Sequence, residues 1–167
     1  MTIAKGAVMV IATRPMTDTA HESSIATELS RLLADSNATY NKTLHYHWNV
    51  RAPHFYSLHR MFEEQYIELR EAMDVVAERV RQLGADTPPF GAPMDSLSAI
   101  RADTGVPGAM DMVRELIEAH EVASRAARAA VTVAEEQGDV ATADLATERV
   151  EAHQKALWML RSITEDS

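Results

Sequence analysis

The sequence predicts an all-α fold, with four long helices forming two hairpins joined by one long connection that carries a short extra helix. Three observations carry this reading. Apolar side chains recur at spacings of three and four through four stretches of the 167-residue chain. Apolar residues make up 46% of the chain and aromatic residues only 5%, a balance of Leu, Val, Met and Ala that suits helices better than sheets. A Pro-containing segment, Ala85 to Pro107, separates the second stretch from the third and is too long for a hairpin turn.

The first stripe runs from Ser23 to Trp48 through Ile25, Leu29, Leu32, Tyr40, Leu44 and His47. Pro53 interrupts it. From Phe55 the pattern resumes as Leu58, Phe62, Tyr66, Leu69, Met73, Val76 and Val80, and Gly84 supplies a stop. Inside the crossover, Asp95 is placed to cap a short helix over Ser96 to Ala102. Met110, Val113, Ile117, His120, Ala127 and Ala134 mark the third long helix, and Asp139, after Gly138, caps the fourth, marked by Leu145, Val150, Leu157 and Leu160. Short turns within each hairpin and one long connection between them specify the ferritin-like variant of the four-helix bundle.

Composition narrows the chemistry. The chain has no cysteine, so thiolate metal sites and disulfides are excluded and any metal is held by carboxylate and imidazole, which suit iron, manganese or zinc. A net charge of -9 disfavours duplex DNA as a ligand and favours cations. No apolar run is long enough to span a bilayer and the start lacks the pattern of a secretion signal, so a soluble, cytoplasmic protein is expected.

The second helix carries the candidate site. His59, Glu63, Asp74 and Glu78 fall within an arc of roughly 100° on one face, beside the apolar stripe. Each i,i+4 pair suits one side of a metal ion, but a rise of about 1.5 Å per residue puts the two pairs roughly 22 Å apart, so one chain offers two half-sites. Antiparallel packing of two such helices about an axis near Glu68 and Leu69 would join each half-site to its complement. Ile67, apolar and on the same side, is consistent with a second buried interface. The turn at Pro53 permits His47 to fold back beside His59. No Glu is followed three residues later by His, the pair that ordinary ferritins use inside one bundle. A solvated surface pair is the commoner reading of any single His/Glu spacing, and the two-fold geometry is what weighs against it.

The segment LHYHWNVRAPHFYSLHRMFEEQYIELREAMDVVAERVRQLG, Leu44 to Gly84, resembles the signature of the Dps family of miniferritins, named as DNA-binding proteins from starved cells. The likeness continues in GDVATADLATERVEAHQKALWML, Gly138 to Leu160. It implies a dodecameric shell that oxidises Fe(II), preferably with hydrogen peroxide, at sites shared between subunits, stores ferric mineral and protects against oxidative stress. Carried over by motif, His47, His59 and Glu63 would be iron ligands of one subunit, with Asp74 and Glu78 from the other. Glu63 stands where the family often has Asp, one methylene shorter. Trp48 is expected near the site, and Glu135, Asp139 and Asp144 are weak candidates for a cation pore. His21, His45, His54, His120 and His153 are assigned no metal.

Residues 1–20 read as an N-terminal arm and residues 21–167 as one ferritin-like bundle domain. The family's alternative role, nucleoid DNA binding with little ferroxidase activity, is weakened by an arm whose only Lys or Arg residues in the first 20 are Lys5 and Arg14. The other rival is a structural bundle in which these carboxylates and imidazoles form salt bridges.

Overall fold

Each apolar stripe becomes the buried face of one helix. The computed structural model describes residues 18–164, and within them the chain forms α1 (Asp18–Asn49), α2 (Phe55–Gln82), α3 (Ala92–Asp95), α4 (Ala109–Glu136) and α5 (Val140–Thr164). This is the four-helix bundle with a short crossover helix that the spacing predicts. The expectation of an arm over residues 1–20 lies outside the described residues, except that α1 includes 18–20.

Neighbouring long helices run antiparallel. Tyr40 meets Tyr66, and His47 meets His59 one hairpin turn away. Lys42 and Tyr46 both bond Glu115 across α1 and α4. Helices α2 and α5 approach each other least and are tied by Arg149 to Glu68 and by Arg79 to Asp139. Gly84 and Gly138 end α2 and α4 with φ of 82° and 69°, conformations that cost glycine little.

The cap at Asp139 forms as expected, its carboxylate accepting from Thr142 N at 3.1 Å and Thr142 Oγ1 at 2.6 Å. The crossover helix departs from expectation, because it spans Ala92–Asp95 rather than Ser96 to Ala102. Pro93 suits the first turn, where a missing N–H costs nothing. Beyond it, the buried Asp35 carboxylate accepts from Ser98 Oγ at 2.8 Å and Ala99 N at 2.9 Å, drawing the backbone away from helical bonding and anchoring it on α1.

Candidate metal centre

The α1–α2 turn is short enough to press two imidazoles together. His47 is 8% exposed, and its ring stacks on that of His59 at a centroid separation of 3.8 Å and an interplanar angle of 18°. Each ring bonds the other residue's backbone: His47 Nδ1 donates to His59 O, and His59 Nδ1 donates to His47 O, both at 2.9 Å. A carbonyl oxygen only accepts, so both Nδ1 atoms carry the hydrogen. With the hydrogen on Nδ1, the neutral form of each ring keeps its lone pair on Nε2, the atom through which an imidazole then binds metal. Phe55 stacks on His59 at 5.0 Å and Tyr66 meets His47 edge-on at 5.1 Å, fixing both rings from the flanks.

Glu63 lies one turn beyond His59 and holds an ion pair with Arg60 at 2.5 Å. The sequence reading missed this contact, although the i,i+3 spacing of Arg60 and Glu63 signals it. A cation reaching Glu63 must share its carboxylate with the guanidinium or displace it.

Asp74 and Glu78 lie further along the unbroken α2, both exposed, with no side-chain partner among the described residues. The straight helix keeps them roughly 22 Å from the histidines, at about 1.5 Å per residue. Among the described residues no three His, Asp or Glu side chains gather to hold a metal within one chain. The structure therefore joins His47 to His59, keeps Glu63 one turn away, and leaves Asp74 and Glu78 at the other end of the same helix.

Trp48 is 68% exposed and makes no ring contact among the described residues, whereas His45 turns away to Gly105 O at 3.1 Å. Of the pore candidates, Glu135 and Asp144 are exposed. Asp139 is committed to Arg79 and Thr142: burial pushes its carboxyl up, but those bonds outweigh it and hold it below its ordinary value.

Residues 26–167 match the family model described as a ferritin-like domain. The solved structure of Dps from Thermosynechococcus elongatus superposes with a TM-score of 0.84 at 31% identity, covering 88% of this chain and 94% of that one. The chain belongs to the Dps family of miniferritins. A second solved Dps, from Vibrio cholerae, superposes with a TM-score of 0.84 at 26% identity over 97% of this chain and 99% of that one; its description places that protein in a broad superfamily of ferritin-like diiron-carboxylate proteins. A low temperature-induced protein of Nostoc sp., itself uncharacterized, is 41% identical over 82% of this chain and 78% of its own length. In this Dps-family chain no described helix is long and apolar enough to cross a membrane.

Proposed function

We propose that this protein is an iron-storage and detoxification shell that oxidises Fe(II) at centres shared between two subunits. The observation that carries the reading is the mutual His47–His59 bonding, which leaves two bare Nε2 atoms at one end of a helix whose other end presents the unpartnered Asp74 and Glu78. Neither half-site alone supplies a full ligand set. Two antiparallel copies of α2 would build two identical centres, each with His47, His59 and Glu63 from one subunit and Asp74 and Glu78 from the other. The exposed Phe55, Tyr56 and Val75, all on the same helix, supply apolar surface for such an interface.

Two neutral imidazoles and three carboxylates suit ferrous iron and favour its harder ferric product. Hydrogen peroxide, the oxidant we assign, takes two electrons, one from each of two ferrous ions, so no free hydroxyl radical forms. Hydrolysis of the ferric ions then releases protons and deposits oxyhydroxide inside the shell. A cytoplasmic location, a homododecamer and a bundle domain over residues 21–167 complete the proposal.

The test is anaerobic loading with Fe(II) followed by hydrogen peroxide, with ferric absorbance recorded for the parent, His59→Ala, Asp74→Ala and a co-assembled mixture of the two variants. Fast oxidation by the parent, lost in each variant and partly restored in the mixture, is expected, because some mixed interfaces regain an intact centre. Oxidation by the parent no faster than in buffer would sink the proposal.

A further inference from the structure

The apolar core is interrupted halfway along the bundle. One cluster gathers Tyr46, Phe62, Leu116 and Leu160, and the other Leu29, Val76, Ala127 and Ala146. Between them the helices turn polar residues inward: Gln65 from α2, His120 from α4, and Arg149 and His153 from α5, none more than 9% exposed. Arg149 bonds Glu68 and Arg79 bonds Asp139, so residue numbers rise in opposite directions along α2 and α5. That register sets Gln65 level with His153. His120 and His153 touch through their Nδ1 atoms at 3.0 Å.

Five buried atoms of this layer have no hydrogen-bond partner among the described residues: Gln65 Nε2 and Oε1, His120 Nε2, His153 Nε2 and Arg149 Nε. Each costs stability if left bare, and five together would rival the net stability of a whole domain.

We propose that Gln65, His120, Arg149 and His153 frame an internal water site between α2, α4 and α5. The chemistry of the five atoms selects the occupant. Burial, with Arg149 nearby, holds both imidazoles well below their ordinary range, so both are neutral. In a neutral pair joined Nδ1 to Nδ1, one ring donates there and keeps a bare Nε2, while the other accepts there and carries its hydrogen on Nε2. The layer thus presents one accepting ring nitrogen, one donating ring nitrogen, an amide that does both, and a guanidinium N–H. Water donates and accepts through a single small atom and satisfies such a set. A metal cation would meet the charge of Arg149 and only one free ring lone pair. An anion would face acceptors on the Gln65 carbonyl and the bare ring nitrogen.

A high-resolution crystal structure of the assembled protein at neutral pH tests this directly. Ordered water bonded to Gln65 and to at least one of the two Nε2 atoms is the expected result. A dry layer, a rotated Gln65 bonding a ring directly, or an anomalous-scattering metal at the site would each overturn the proposal. Gln65→Leu gives a second reading by thermal unfolding. If water bridges the layer, losing the amide strands the remaining groups and the midpoint falls by about 2–4 °C. If the amide is bare, an apolar side chain of similar size leaves the midpoint unchanged or raises it, and the water site is refuted. Should the variant fail to assemble, the crystal structure of the parent still decides.

Discussion

His47 and His59 each donate Nδ1–H to the other's backbone carbonyl at 2.9 Å, so neither ring holds its tautomer independently. In the proposed centre, removing one ring deletes a ligand and also frees the other ring to rotate and exchange tautomers. The two residues should therefore behave as a unit, with strongly non-additive effects. We expect His47→Ala and His59→Ala each to lower the initial rate of peroxide-driven Fe(II) oxidation at least about tenfold, within the range of 10- to 100-fold known for disrupted metal-site support. The double variant should be little slower than either single one. Stopped-flow ferric absorbance measures this, and a double variant slower by the product of the single effects would show two independent ligands.

The Arg60–Glu63 pair makes the opposite kind of prediction. Arg60 is half exposed, so its ion pair contributes at most about 1 kcal/mol to stability. Its larger effect is competition, because the guanidinium occupies the carboxylate that a cation needs. Arg60→Ala should leave the melting temperature within a few degrees of the parent while tightening Fe(II) binding several-fold in anaerobic calorimetry. Unchanged or weaker binding would mean that Arg60 does not compete at Glu63.

Periodicity made the helices legible because each long helix buries a stripe with little tertiary interference, as α2 does from Leu58 through Phe62, Leu69 and Val76 to Val80. The crossover was harder to read, since its course is set by Asp35, distant in sequence, accepting from Ser98 and Ala99. Spacing put 59/63 and 74/78 on one face of α2 as candidate half-sites, and the brevity of the 50–54 turn hinted at His47 beside His59, a contact the structure contains. The reciprocal carbonyl bonds were invisible, because no pattern of residue types encodes which ring nitrogen meets which backbone oxygen. Nothing in the spacing of His120 and His153 marks them as a pair, because their mutual contact depends on the α4–α5 register, 33 residues apart in the chain.

Acid should weaken the bundle through the buried histidines. Burial, with Arg149 adding to it, pushes His120 down to about 4 from an ordinary 6.5. Because the folded pKa lies below the unfolded one, the unfolded chain binds more protons between these values. The stabilisation is thus complete above about pH 6.5 and is lost as pH falls toward 4, to a total of order 3 kcal/mol per subunit. Chemical denaturation midpoints measured across that window should fall with pH, and His120→Gln should flatten the slope. An unchanged slope in the variant would place the acid sensitivity in the neighbouring His153, which burial also pushes well below its ordinary value, since Asp139, already lowered, loses its contribution only at more acidic pH.

Lys42 holds the crossover against the bundle. Its side chain is 9% exposed, and its ammonium bonds Asp103, Glu115 at 3.0 Å and Tyr46 Oη at 3.2 Å, while the Tyr46 hydroxyl donates to the same Glu115. That hydroxyl bond, with Lys42, holds the Glu115 carboxyl below its ordinary value, whereas burial and the two carboxylates push Tyr46 upward. Lys42→Met fills a similar volume but leaves Asp103 and Glu115 facing each other without a cation. The expected cost is about 3–5 kcal/mol, the range for breaking a buried pair, lessened by the partial exposure of Glu115. The effect should be local before it is global, because Asp103 belongs to the connection between α3 and α4 and losing its anchor releases that segment first. Arg101, exposed in the same segment, offers a trypsin site, so brief proteolysis should cut Lys42→Met there faster than the parent while α1 and α4 stay protected. Equal cleavage rates at Arg101 would show that Asp35, through Ser98 and Ala99, holds the crossover without help from Lys42.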